Sequence, residues 1–179
     1  DVCSSDLSVH IRDNLDLAPT AYKITLMGVT AGQAEIHMDR HLAINPGQVF
    51  GDIQGIKGKD PAFGLDAIWI EEGQKDQASS LGYTVVDAST VVATHLSQIL
   101  QDHAHELLGH EEVEQLLKML EQTAPKLVEN LVPDALPLGV LVKVLQNLLQ
   151  EQVPIRDLRT IAERSEEHTS ELQTPCNLV

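Results

Sequence analysis

Two hydrophobic periods run along this chain, and they meet near Ser89. Before that point, apolar residues come in short runs separated by turn formers. Ala34, Ile36 and Met38 alternate with Glu35, His37 and Asp39, the period-two pattern of a half-buried strand, so a strand is expected over 33–39. Segments 22–27, 67–70 and 83–86 predict further strands. Asn45-Pro46-Gly47 and the glycines at 51, 55, 58 and 64 punctuate the stretch between them, so no long regular element is expected there.

After Ser89 the apolar spacing becomes three and four. Ser89 is expected to cap a helix that carries Val92, Leu96, Ile99, Leu100 and Leu107 on one side and stops at Gly109. Val113, Leu116, Leu117 and Leu120 repeat the spacing until Pro125, and Leu138, Leu141, Val142, Leu145, Leu148 and Leu149 repeat it between Pro137 and Pro154. These stripes are core faces of helices. The class is therefore α+β, with a mixed first half and a mainly helical second half.

Composition narrows the function. The 27 acidic residues outnumber 12 lysines and arginines, giving a formal charge of -15. Such a surface repels phosphate backbones, and the lysines form no stripe, which argues against nucleic-acid binding. No apolar run approaches the ~20 residues of a membrane helix, and there is no signal peptide. Residues 1–7 and 164–173 resemble translations of a common sequencing adapter, one strand the reverse complement of the other, so 1–7 and 164–179 are set apart from the folded body. Both cysteines, Cys3 and Cys176, lie in those ends, which leaves no thiol for a disulfide, a nucleophile or a zinc site.

Candidate chemistry is sparse. His103, His105, Glu106 and His110 form a near relative of the HExxH zinc motif, but His110 follows His105 by five positions instead of four. That step rotates about 140° around a helix, so the three imidazoles are expected to point apart as polar residues on a solvated helix end. A metal-dependent hydrolase built on this cluster is the alternative from another class. His95 is expected to be a partly buried, hydrogen-bonded imidazole and not a catalytic base. Gly55-Ile56-Lys57-Gly58 has the GxxG form of a KH loop but lacks a basic flank, and is expected to be a flexible turn. No nucleotide-binding glycine motif or nucleophile elbow is present, and Glu71-Glu72 and Glu111-Glu112 read as solvated charge. No set of catalytic residues is complete, so no enzyme, cofactor or metal is expected.

Asp60-Pro61-Ala62-Phe63-Gly64-Leu65 is different, because it places one of only five aromatic residues in a turn, where side chains are usually exposed. On residue types alone, Asp60 capping its turn, Phe63 packing and Thr94 bonding its own helix would account for the three. The run DPAFGL with AxWI, then GYTVVDASTVVATHL, PKLVENLVP and KVLQNLLQEQVPIRDLRTI, closely resembles the cytoplasmic region of the FlhA family of flagellar type III export gates, over about 14–163. Injectisome export gates of the InvA and YscV type are the alternative within that family.

The resemblance implies a first subdomain at 8–38 and 88–108, incomplete at its start, a smaller one inserted at 39–87, and a mainly helical, incomplete third at 109–163, with the fourth absent. It implies that Asp60, Phe63 and Thr94 contribute to a dimple between the first two subdomains that docks export chaperones with their cargo. It further implies a bacterial inner-membrane parent with this segment in the cytoplasm, a preceding membrane domain, a homo-oligomeric ring, and partners that include the export ATPase complex.

Overall fold

The computed structural model describes residues 9–132 and 136–164. Of the segments 1–7 and 164–179 set apart above, 1–7 and 165–179 lie outside the described residues, whereas Arg164 lies in the helical stretch 158–164. The chain divides into two compact units, His10–Gln101 and the part from Asp102 onward.

In the first unit, β1 (Ala21–Leu26) and β2 (Val29–Glu35) form an antiparallel hairpin. Its two-residue loop has Met27 at φ 49° and Gly28 at φ 83°, the left-handed pair that matches strand twist in a tight hairpin. That turn fixes the register, and β2 therefore lies earlier than the expected 33–39. Ile36 still donates its N–H to Thr20 O, but the chain then turns, and Met38 is exposed. A register shift after Ile24 leaves Gly32 opposite it.

The second sheet has the order β4-β5-β3-β6, all antiparallel, from β3 (His41–Ile44), β4 (Ile56–Lys59), β5 (Asp66–Ile70) and β6 (Thr84–Asp87). Both of its faces are covered. Leu42, Ala67 and Trp69 pack with Ala88 and Val91 of α2 (Ala88–Asp102) on one side. Ala43, Ile53, Ile70 and Tyr83 pack with Ala78 of the short α1 (Lys75–Ser80) on the other. The GxxG segment is not a flexible turn, because Ile56–Lys59 is an edge strand paired to β5. Its glycines permit close approach: a Cβ at Gly55 would sit 2.3 Å from Trp69 O, and Gly58 lies over the Trp69 ring.

α2 starts one residue before Ser89, and the capping group is Asp87. Asp87 Oδ1 accepts the Thr90 N–H at 2.6 Å and the Ser89 hydroxyl at 2.9 Å, and hydrogen bonds from the Thr90 side chain, the Thr90 N–H and the Ser89 hydroxyl hold its carboxyl down at about 2. A carboxyl depressed in the folded state adds stability above its unfolded value, near 4, and that stability is lost as pH falls through the folded value. Asp87→Ala is expected to lower the thermal midpoint at neutral pH and to reduce the loss between about pH 4 and 2, read from melts across that range.

In the second unit, α2 does not continue to Gly109. It ends at Asp102, and a single turn, α3 (Ala104–Leu107), follows. Gly109 begins the next helix instead of ending the last, with its N–H donated to Glu112 Oε2 at 2.9 Å ahead of α4 (His110–Thr123). Gln146 donates to the Leu108 carbonyl freed by the break, at 2.8 Å. Pro125 opens α5 (Pro125–Asn130) as its first residue, where the missing N–H costs nothing. Leu108, Val113, Leu117, Leu120 and Leu131 make one core with Leu141, Val142 and Leu145 of α6 (Leu138–Gln150) and with Leu158 and Ala162 of the helical stretch 158–164. No helix among the described residues is long and apolar enough to cross a membrane.

Candidate functional site

The turn after β4 is built to expose an aromatic ring. Asp60 N–H donates to Leu65 O, Gly64 N–H returns to Asp60 O, and Asp60 Oδ2 accepts the Phe63 N–H, each at 2.8 Å. Pro61 presets its own φ, and Gly64 takes φ 69°, which a side chain would resist. Three hydrogen bonds thus close the turn within Asp60–Leu65. Phe63 finds no place in the cores and stands 61% exposed, whereas Asp60 beneath it is 3% exposed.

Phe63 and Thr94 line one open groove of about 550 Å³, together with Ala93, Ser97, Gln98 and Gln101. Thr94, Ser97, Gln98 and Gln101 stand at i, i+3, i+4 and i+7, so they form one face of α2. That spacing was available in the sequence, although only Thr94 was singled out from it. The groove contains no ionisable side chain, in a chain whose formal charge is -15. Asp60 does not line it; its carboxylate holds the turn that presents Phe63.

Behind the groove, the inner face of α2 carries Val91, His95 and Ile99. His95 is 7% exposed, and its Nδ1 shares a 2.7 Å hydrogen bond with the Tyr22 hydroxyl of β1, with the two rings edge to face at 5.7 Å. Burial lowers the His95 pKa, opposed by the charge of Asp60. Burial also pushes Tyr22 up to about 12, and there the same charge adds to the shift. A buried imidazole with a structural partner is what its setting in the sequence suggested.

The histidine cluster is arranged differently from the expectation that its members all point apart. The short α3 brings His103 Nδ1 to 3.2 Å and His105 Nε2 to 3.8 Å from the same Glu106 oxygen. His110 opens α4 near Gly139 and is no part of that pair. Among the described residues, no group of three His, Cys, Asp or Glu side chains is placed to hold a metal ion.

An α+β body, a hairpin and a two-faced sheet leading into a helical unit, and an aromatic turn beside α2 form the frame in which the chain's relatives can be identified. The FHIPEP family matches residues 7–179, and the chain belongs to that family. It is 56% identical to the flagellar biosynthesis protein FlhA of Escherichia coli over 160 residues, and 50% identical to the FlhA of Proteus mirabilis over 170 residues. Those alignments cover 89% and 95% of this chain but 23% and 24% of the relatives, so the chain spans about a quarter of their length. Among solved structures, a chain of the Chlamydia pneumoniae CdsV and CdsO complex superposes with a TM-score of 0.78 at 28% identity, over 90% of this chain and 50% of that one.

Proposed function

We propose that this chain is part of the cytoplasmic region of a flagellar type III protein-export gate, and that the groove between Phe63 and Thr94 docks export chaperones carrying their cargo before subunits pass to the membrane channel. The observation that carries the reading is Phe63 itself, an aromatic ring held out of every core by a hydrogen-bonded turn and set against a neutral polar helix face. A rigid aromatic anchor beside hydrogen-bonding groups is a common make-up for an interface hot spot. Membership of the FHIPEP family and FlhA relatives at 50% and 56% identity support the export-gate role. The same flagellar relatives favour the flagellar reading over the injectisome alternative.

The same reading places a membrane domain before this segment in the parent, anchors that parent in the bacterial inner membrane, and assembles it as a homo-oligomeric ring working with the ATPase complex. Subdomains at 8–38 with 88–108, at 39–87 and at 109–163 belong to this proposal. Its role is binding and not catalysis. The test fills the groove: Thr94→Phe in a complete FlhA-type cytoplasmic region is expected to lower affinity for a chaperone and cargo complex at least about tenfold in calorimetric titration, with the melt unchanged. Full affinity in that folded variant would remove the groove from the docking surface.

A further inference from the structure

Resting on the docking reading above, we infer that His95 and Tyr22 are positioning residues for the groove, joining the helix that forms its wall to the turn that presents Phe63. The argument begins with α2. Its outer face lines the groove at Thr94, Ser97, Gln98 and Gln101, and its inner face meets the β1–β2 hairpin through His95 and Ile99. Apolar contact at Ile99 resists separation but specifies rotation weakly. The 2.7 Å bond between Tyr22 and His95 is directional and sits one residue from Thr94.

Gly32 makes that bond possible. A Cβ there would fall 2.4 Å from Ile99 Cδ1 and 2.9 Å from His95 Nε2, so a side chain at position 32 would force the Ile99 and His95 side chains out of these positions. Tyr22 from β1 and Asp60 from the turn are the titratable groups that act on His95, and β2 approaches it at Gly32. Asp60 also holds the Phe63 N–H. The carboxylate whose charge acts on both His95 and Tyr22 is thus the one that holds the aromatic turn, while His95 itself belongs to the helix wall.

In the tautomer with Nδ1 unprotonated, His95 accepts the hydrogen bond of the Tyr22 hydroxyl, and protonation of Nδ1 removes that acceptor. His95 is held neutral by burial, so its contribution is present above the ordinary imidazole range and lost as pH falls below it. Docking and order at Phe63 should follow the same course.

The experiment uses a complete FlhA-type cytoplasmic region carrying Tyr22→Phe, His95→Gln or Phe63→Ala, read by hydrogen exchange at the residue 63 amide and by calorimetric titration with a chaperone and cargo complex between pH 7.5 and 5, a span chosen to cover roughly the imidazole range. Tyr22→Phe is expected to speed exchange at the Phe63 amide and to weaken docking, each about tenfold, the scale of one lost hydrogen bond. His95→Gln keeps an acceptor that does not titrate, so it should flatten the acid-side loss that the parent shows. Unchanged Phe63 exchange in Tyr22→Phe, or an acid-side loss that persists in His95→Gln, overturns the inference. If Phe63→Ala leaves affinity unchanged, the docking reading fails, and exchange at Phe63 still decides the positioning role.

Discussion

Phe63→Ala in a complete FlhA-type cytoplasmic region is expected to cost about 2 kcal/mol or more of chaperone and cargo binding, a roughly thirtyfold loss of affinity, while the thermal midpoint stays where it was. The two halves of that expectation have one cause. At 61% exposure the ring contributes little to folding, so its removal leaves no internal cavity, and its apolar area is available to a partner. The turn itself does not depend on the ring, because its hydrogen bonds run through the backbone and the Asp60 carboxylate. Calorimetric titration paired with thermal melts separates the outcomes. Unchanged affinity, or a loss that merely follows a falling midpoint, would return Phe63 to a packing role.

The stripes of α4 and α6 were the more legible in sequence, because both face one core and the period of 3.6 is left intact, whereas α2 buries Val91, His95 and Ile99, so that of its expected stripe only Ile99 is buried. Leu141, Val142 and Leu145 all fall in the core that the spacing indicated. The sheet was harder to read. β3 has Leu42 and Ala43 both fully buried, one on each face, so it shows no alternation to detect. β4 reads as a glycine-broken turn because its glycines serve a close approach to Trp69 instead of a bend. The break at His103 was missed because Leu107 keeps the apolar register of α2 while the backbone leaves it.

At the site, the exposure of Phe63 followed from Pro61 and Gly64. Its pairing with Thr94, more than thirty residues away, came from family resemblance and not from any local pattern. Tyr22, which anchors the wall from behind, carried no signal, since its partner lies 73 positions along the chain.

Asp60→Ala is expected to behave unlike Phe63→Ala, losing stability and binding together. Family resemblance places this carboxylate in the docking dimple, whereas residue types alone have it capping its own turn. At 3% exposure, with Oδ2 on the Phe63 N–H at 2.8 Å, it reaches a partner only through the turn it holds. A hydrogen bond to a charged group is worth about 1.5–3 kcal/mol, so the alanine variant should lose about 2 kcal/mol of folding stability in denaturant titration. Docking should weaken as well, because the freed Phe63 amide lets the ring move off the α2 face. Asp60→Asn keeps an oxygen in place and should recover more than half of the stability and most of the affinity. Hydrogen exchange at the Phe63 amide follows the same order, fastest in alanine and intermediate in asparagine. A binding loss in Asp60→Ala with no change in stability or exchange would mean that the carboxylate meets the partner directly, and the turn-holding role assigned to it would be wrong.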